Sequence, residues 1–316
     1  MIIILNICLI FAIVILLSIL YCYTLNPKKC GQILRPRTPQ YKQVVIVTPA
    51  GRQIYLRHLL SHLKKQTIHF DEWHLWNNTR NQEDEEYLHK LQRQYSWIKV
   101  VQSSKNDKKG TNELINIFWK IDGSQSNTLY IKLDDDIVWL SPNFVSSMVT
   151  FKAKHPSCPI VFANIINNNY IDHLHQASGR VLQNIPYIDK ECMGNLWKSP
   201  EMTHRLHEEF MQDRLQDTYH KWIINTHKIN NFKRVSINAI AWEGELLQRT
   251  DLPQIDDDER WASEQVPKKL NKPAIINGNA LALHFAFYTQ RDTKVDGKTL
   301  DDRIDELLMG NMRAGF

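Results

Sequence analysis

The sequence predicts an α/β fold with a Rossmann-like, doubly wound and mostly parallel sheet. From residue 43 onward, short apolar runs rich in β-forming residues alternate with stretches of helical period. One apolar run, 129–140, is interrupted by three adjacent carboxylates, Asp134, Asp135 and Asp136. Because ligands of open α/β sheets bind beyond the carboxyl ends of the strands, we expect a ligand site at this point.

Composition places the chain of 316 residues among ordinary globular proteins, with 43% hydrophobic and 23% charged residues. The formal net charge of +5 is diffuse, with no basic block interleaved with aromatic residues, so nucleic acid is not expected as a partner. The five Cys residues match neither a disulfide framework nor a zinc motif.

The first residues predict a membrane anchor. Residues 2–23 carry no charge and are mostly Ile, Leu and Val, which is long enough to cross a hydrocarbon core of about 30 Å. We therefore expect a transmembrane anchor at 1–24, a stem at 25–42, and a single-pass type II protein of the Golgi or ER. A cleavable signal peptide is the alternative. Basic residues follow the span, which by the positive-inside rule alone would leave the main domain in the cytosol, whereas a glycosylation sequon at Asn77 is compatible with a lumen.

The pattern next predicts three strand–helix units and a fourth strand. The expected strands are 44–48, 72–76, 97–101 and the start of 129–140, and the expected helices are 52–65, 83–95 and 112–121. A helix to 154 and a strand at 159–163 should follow, with an Asn-rich loop at 164–170. The second half reads as mixed α/β: a helical stretch at 200–228, apolar runs at 235–242, 273–276 and 281–287, and a C-terminal helix within 299–316. The main domain is expected to span 43–298.

The three carboxylates predict a metal site. They repel one another and lose hydration when buried, so a fold that buries them normally supplies a cation. The apolar residues on both sides argue against a solvated turn. A pair such as Asp134 and Asp136 suits Mg²⁺ or Mn²⁺ shared with a diphosphate. Lys132, the one charged residue in its strand, is expected to pair with one of the aspartates.

The D-x-D of Asp134 and Asp136 at the end of a central strand resembles that of GT-A-fold glycosyltransferases. The resemblance covers roughly residues 43–291 and includes a first strand that ends in Thr48 and Pro49. It implies a membrane-anchored enzyme with a nucleotide-sugar donor, expected to be a UDP-sugar, a Mn²⁺ or Mg²⁺ ion, and a glycan or glycoprotein acceptor. The second half of the domain would bind the acceptor.

The resemblance also implies roles for individual residues. Asp136 would be a direct metal ligand, Asp134 a contact to the metal or to the donor ribose, and His284 a further ligand. A lone His in an apolar strand is otherwise a core residue. The residues expected to contact the donor are Thr48, Pro49, Asn77, Asn112, Asp134, Asp135 and Arg291.

For the acceptor side, the resemblance implies an inverting reaction in which Asp258 or Glu259 is the general base. Carboxylates in a first helical turn are also favoured by the helix dipole, so this position has a purely structural explanation as well. Trp242 resembles an aromatic residue that stacks on a sugar, and a buried core Trp is the alternative reading.

Two other functions remain open from the sequence. The pattern of Asp134, Asp136 and Val138 after a strand also fits a haloacid dehalogenase-type phosphatase, with Asp134 as the nucleophile. That motif normally lies on the first strand of its domain, whereas three strand–helix units precede it here. The third hypothesis is a non-catalytic binding protein with a GT-A-like fold.

Overall fold

The computed structural model describes residues 41–67, 70–104, 110–251, 257–295, 297–302 and 304. The strands of this part are β1 Gln43–Ala50, β2 Glu72–Asn77, β3 Ile98–Val101, β4 Thr128–Leu133, β5 Ile137–Leu140, β6 Val161–Ile166, β7 His227–Lys228, β8 Ala239–Glu243 and β9 Ile275–His284. The longer helices are α1 Gln53–Leu63, α2 Gln82–Gln94, α3 Asn112–Asp122, α4 Phe144–Lys154, α5 Asn169–Ala177 and α7 Pro200–Leu215, and the four-residue helix α6 Asn195–Lys198 lies between α5 and α7. Short helices follow: α8 Leu246–Arg249, α9 Asp258–Arg260, α10 Val266–Leu270 and α11 Tyr288–Arg291, with a π-helical turn at Trp261–Gln265 between α9 and α10.

The strands form one mixed sheet in the order β3-β2-β1-β4-β8-β6-β9-β5, and β7 pairs with β9. β3, β2, β1 and β4 are parallel to one another. β8 runs antiparallel to both of its neighbours, β4 and β6. The α/β class and the Rossmann-like parallel half are confirmed, while the second half of the sheet is mixed.

The first three strand–helix units lie within a few residues of their predicted positions. Asn81 caps α2 by accepting from the backbone N–H of Asp84, and Thr111 caps α3 by accepting from that of Leu114 at 3.2 Å. The parallel strands β1, β2 and β4 are almost wholly buried, which explains their largely apolar sequence. Their carboxyl ends meet at one edge of the sheet, where Asp134 follows β4.

The central run 129–140 is not one strand. β4 and β5 are separated by the three carboxylates, and β5 pairs antiparallel with β9, so that Ile137 lies opposite His284. The carboxylates therefore occupy a turn between two distant positions of the same sheet. The strand pairing brings His284 next to them.

The predicted loop at 164–170 is wrong. β6 continues to Ile166, and Asn168 begins α5 by accepting from the backbone N–H of Ile171. The Asn residues of this segment are buried, and their side-chain amides bond other buried polar groups. The amide of Asn168, for example, donates to the Ser236 carbonyl oxygen and to Asn238 Oδ1. The two late apolar runs are also one strand, β9, which passes through Gly278. A Cβ at Gly278 would meet the carbonyl oxygen of Ile224 at 1.8 Å, so only glycine fits this approach.

The membrane localisation predicted from the first residues is wrong for the part of the chain that the structure describes. None of its helices combines the length and the apolar character that spanning a bilayer requires. The predicted anchor and stem, 1–24 and 25–42, lie outside the described residues except for 41 and 42, as does most of the predicted C-terminal helix at 299–316. The sequon residue Asn77 is only 1% exposed, so its amide is not accessible in the fold.

Candidate active site

Three carboxylates meet a set of positive side chains in the turn between β4 and β5. Asp135 and Asp136 are 5% and 4% exposed, and Asp134 is half-buried. The turn is closed by a hydrogen bond from the Ile137 backbone N–H to the Asp134 carbonyl oxygen at 3.1 Å. Without compensation, so many charges in one buried turn would be strongly unfavourable.

Arg52 provides much of that compensation. Its Nε donates to Asp135 Oδ2 at 3.1 Å and its Nη2 donates to Asp136 Oδ2 at 2.9 Å. The backbone N–H of Gly51 also donates to Asp135 Oδ2, at 3.0 Å. The loop between β1 and α1 is therefore tied to the carboxylates, and Asp135 serves mainly as its anchor.

Arg291 and Lys132 complete the positive set. Arg291 Nη2 also donates to Asp136 Oδ2, and its Nε is buried without a hydrogen-bond partner among the described residues. Lys132 lies in β4 and its side chain is buried. Its Nζ pairs with Asp134 and donates to the Ile237 carbonyl oxygen at 3.1 Å. This confirms the predicted pairing of Lys132 with an aspartate.

His284 faces Asp136 from the end of β9. Its Nδ1 donates to the carbonyl oxygen of Asn167 at 3.0 Å, and this bond leaves Nε2 directed at Asp136 Oδ1, 3.4 Å away. Burial opposes the charged imidazolium, but the Asp136 carboxylate raises the pKa of His284. The sequence-predicted pair of Asp136 and His284 is thus brought together.

The aspartates differ in their electrostatics. Burial alone would raise the pKa of Asp136, but His284 and Arg52 outweigh it and hold that pKa below its ordinary value. For Asp134, burial dominates over the attraction of Lys132 and raises the pKa to about 6. Asp136 is therefore the carboxylate best held in its ionised form.

The arrangement of Asp136 and His284 fits a divalent ion with two protein ligands. An imidazole held through its other nitrogen by a carbonyl oxygen is typical of a metal ligand, and a carboxylate oxygen suits Mg²⁺ or Mn²⁺. Among the described residues, no group of three or more His, Cys, Asp or Glu side chains is arranged to hold a metal. Ligand oxygens and water would therefore have to complete the shell.

These side chains line a cleft of about 490 Å³. One part of its lining comes from the end of β1, the loops after β1 and β2, and the chain at the start of α3, and it consists mostly of polar side chains and glycine backbone: Pro49, Gly51, Asn78, Arg80, Gly110 and Asn112. A second part comes from the acidic segment before and within α9: Asp257, Asp258 and Glu259. Further lining comes from other parts of the chain: Ile115, Met193, Trp197, Arg234, Ile237, Asn238, Ala286, Phe287, Tyr288 and Arg291.

Asp258 and Glu259 have different surroundings within the cleft. Glu259 is neutralised by Arg234 at 2.8 Å and accepts from Cys192 Sγ at 3.2 Å. Asp258 accepts from the Trp119 indole Nε1 at 3.1 Å, and burial raises the pKa of its carboxyl. Of the two predicted bases, Asp258 is therefore the one not tied to an arginine.

The other sequence-predicted residues divide into two groups. Pro49, Asn112, Asp134, Asp135 and Arg291 line the cleft, whereas Thr48 and Asn77 do not. Thr48 is fully buried and accepts from Trp73 Nε1 at 2.9 Å.

Asn77 donates instead to Glu85 and Gln102. β1 and β2 continue beyond the predicted strand ends, and the neighbour Asn78 reaches the cleft.

Trp242 is a core residue, which is the alternative to a sugar-stacking role that the sequence left open. It is fully buried, stacks on Tyr130 with ring centroids 5.3 Å apart, and donates to the Gly123 carbonyl oxygen at 2.9 Å. Sequence reasoning missed Arg52, Arg80 and Arg234, which line the cleft. A weak signal for Arg52 was its position directly after the first strand, next to Gly51.

No protein-family model matches this chain, and no curated protein matches it. Several solved structures are similar to it. A mannosyltransferase from Pyrobaculum calidifontis, in complex with GDP-Man and Mn²⁺, has a TM-score of 0.45 and 12% identity over 86% of this chain and 65% of its own. S. aureus TarS residues 1–349, in complex with UDP, has a TM-score of 0.44 and 13% identity over 76% of this chain and 60% of its own.

A third similar structure is the 4-diphosphocytidyl-2C-methyl-D-erythritol synthase of Anaerococcus prevotii, with a TM-score of 0.35 and 12% identity over 92% of this chain and 100% of its own. The described part of this chain has four parallel strands, an antiparallel β8 beside them, and a D-x-D at the end of β4. The fold is a mixed α/β sheet with a Rossmann-like parallel half, which is the architecture that the resemblance to GT-A-fold enzymes implies. Within this domain the cleft lies at the carboxyl ends of β1, β2 and β4, where an open α/β sheet binds its ligands.

Proposed function

We propose that this protein is a metal-dependent glycosyltransferase that moves a sugar from a UDP-sugar to an acceptor hydroxyl. One observation carries the proposal. Asp136 beside His284, and Asp258 with its raised pKa, line the same cleft. The pair that we propose to bind a cation and the candidate base therefore face one open cleft of about 490 Å³.

Asp136 and His284 are the residues that would hold Mn²⁺ or Mg²⁺. When bound, such an ion neutralises the charge that develops on a leaving diphosphate. Arg291, whose buried Nε has no partner among the described residues, has a donor left over for an anionic ligand. Arg80 and the backbone at Gly51 and Gly110 make the nearby lining suited to a nucleotide.

Asp258 is the residue that we propose as general base in an inverting transfer. A half-buried carboxylate with a raised pKa accepts a proton more readily from an acceptor hydroxyl. Glu259 is less suited because its charge is already compensated by Arg234. Holding donor and acceptor together in the cleft would supply much of the remaining rate acceleration.

The test is a screen of nucleotide-sugars with Mn²⁺ that follows release of the nucleotide diphosphate. The variant Asp136→Asn should lose at least about 100-fold of the metal-dependent activity, because it weakens the cation site while keeping the side-chain volume. Asp251→Asn is the matched control, since that carboxylate is 77% exposed and lies outside the cleft.

Other outcomes would contradict the proposal. Wild-type activity in Asp136→Asn would exclude the assigned cation site. A phospho-aspartate trapped at Asp134 would instead support the phosphatase of haloacid dehalogenase type. Metal-dependent nucleotide-sugar binding without any turnover would support the non-catalytic binding protein.

A further inference from the structure

An aromatic patch, defined as Met193, Trp197, Phe287 and Tyr288, lines the same cleft and has no part in the chemistry described above. Tyr288 is 72% exposed and Met193 is 48% exposed, whereas Trp197 and Phe287 are half-buried. Large apolar side chains with this exposure are few among the described residues. They are Ile121, Tyr187, Met193, Leu215 and Tyr288.

The patch extends outward from His284 through a series of ring contacts. The ring centroids of His284 and Phe287 are 4.4 Å apart, and those of Phe287 and Trp197 are 6.0 Å apart. Trp197 then meets Tyr288 edge-on at 5.3 Å. An exposed aromatic surface thus begins at the candidate metal ligand and runs to the rim of the cleft.

The backbone under the patch is fixed by hydrogen bonds between its two short helices. Thr289 Oγ1 donates to the Trp197 carbonyl oxygen at 2.5 Å, and Gln290 Nε2 donates to the Leu196 carbonyl oxygen at 3.0 Å. The buried Asn169 side chain accepts from the backbone N–H groups of Leu196 and Trp197. The backbone that carries the rings is therefore fixed before any ligand binds.

The patch differs chemically from the other lining of the cleft. The polar lining near Arg80, Gly110 and Asn112 suits phosphates and a nucleotide, and it comes from the N-terminal half of the chain. The patch offers ring faces and a thioether, which pack against the apolar C–H face of a pyranose ring. A Tyr or Trp ring provides such a surface at low cost in conformational entropy.

We propose that the aromatic patch is the acceptor subsite and that the acceptor is a carbohydrate whose pyranose ring packs on Tyr288 and Trp197. The acceptor role of the patch rests on the proposed function, whereas the binding of a sugar ring rests on the patch alone. It places the acceptor hydroxyl on a glycan rather than on a peptide side chain or a lipid.

The first experiment measures binding alone, by saturation-transfer NMR and isothermal titration without nucleotide. The probes are methyl glycosides and disaccharides of glucose, galactose, mannose and N-acetylglucosamine, with a Ser/Thr peptide and a long-chain alcohol for comparison. Tyr288→Ala is compared with Tyr187→Ala, a matched control that is 67% exposed and does not line the cleft.

We expect at least one glycoside to bind the wild type and Tyr187→Ala equally, and Tyr288→Ala roughly three- to tenfold more weakly. Tyr288→Phe should keep the affinity because it keeps the ring. Equal affinity in Tyr288→Ala and Tyr187→Ala would overturn the inference, as would a wild type that binds only the peptide or the alcohol, or no probe.

A separate kinetic measurement distinguishes this inference from the proposed function. In the transfer reaction, Tyr288→Ala should raise the KM for the acceptor while hydrolysis of the donor without acceptor stays at the wild-type rate. Loss of donor hydrolysis in Tyr288→Ala would place the patch in the donor site and overturn the inference. Absence of donor hydrolysis in the wild type would instead contradict the proposed function, and the binding result would still decide the inference.

Discussion

Asp258 and Glu259 are neighbours in sequence with very different electrostatic surroundings. Arg234 bonds Asp257 and Glu259 on the two sides of Asp258, but it does not bond Asp258 itself. Asp258 instead accepts a neutral indole N–H from Trp119, and burial raises its pKa. Among Asp257, Asp258 and Glu259, Asp258 is thus the carboxylate without an arginine partner, and its raised pKa favours uptake of a proton.

Substitution of Asp258 should therefore separate catalysis from donor binding. Asp258→Asn is expected to lower kcat by roughly 10²- to 10⁴-fold, because the amide cannot accept the proton of the acceptor. The KM for the donor should change little. Steady-state kinetics with Glu259→Gln as comparison would check this, and a larger loss of kcat in Glu259→Gln would reverse the assignment of the base.

At the residue scale, the sequence predicted best where polar residues interrupt an apolar pattern. The three aspartates stand out within a buried run, and His284 stands out within β9, so both could be identified as candidates. Arg52 could not, because its pairing with Asp135 joins positions 83 residues apart. Asn78 rather than the predicted Asn77 lines the cleft, because sequence spacing does not tell which of two adjacent asparagines faces it.

At the scale of the elements, a buried histidine joins β2 to the end of α3. His74 Nδ1 lies 2.8 Å from Asp122 Oδ2, and its Nε2 lies 2.7 Å from Glu72 Oε2. Lys99 also pairs with Glu72, and Trp76 Nε1 donates to Asp122 at 2.6 Å. Burial opposes the imidazolium, but the two carboxylates, Asp122 first, raise the pKa of His74.

This contact predicts the direction of one pH dependence. Since the folded-state pKa of His74 lies above its ordinary value of 6.5, the folded protein binds this proton more tightly than the unfolded chain. The stabilisation is fully present below pH 6.5 and is lost as pH rises through the raised pKa.

Urea unfolding across this pH range checks the prediction. The free energy of unfolding of the wild type should fall as pH rises above 6.5, and that of His74→Gln should fall less over the same range. Equal slopes for the two proteins would show that His74 does not titrate differently in the folded state.

The elements of the first half could be predicted because buried parallel strands and amphipathic helices give distinct patterns. The second half could not be predicted as well. β9 is interrupted by Gly278 and Asn279, which made one strand look like two. At 164–170, the Asn residues that cap and support α5 have the composition of a loop, and only their buried partners reveal the difference.

At the scale of the whole molecule, a ligand that binds only the folded cleft should stabilise the fold. UDP with Mn²⁺ at 100 times its Kd is expected to add about 2.7 kcal/mol to the free energy of unfolding, which raises the melting temperature by several degrees. Removal of the metal with EDTA should abolish most of this rise, because in the proposed site Asp136 and His284 would contact the diphosphate through the ion. A thermal-shift assay measures it, and an equal rise with EDTA would show that UDP binding does not need the metal.

The overall architecture followed from the alternation of strands and helices, but the order of the second half of the sheet did not. The antiparallel β8 lies between β4 and β6, although about a hundred residues separate it from β4 in the chain. Nothing in the local pattern of 235–242 distinguishes an antiparallel neighbour from a parallel one. That placement depends on long-range packing, which a single sequence does not encode in any short window.

The aromatic patch has a consequence for how such an enzyme can diversify. Its rings lie on or next to two short helices, α6 and α11, away from the turn that contains the carboxylates. If the patch binds the acceptor as proposed, changes in these helices alter which sugar binds and leave the polar lining after β1 and β2 unchanged. Exchange of residues 193–197 would then change the acceptor specificity while the proposed donor chemistry stays the same.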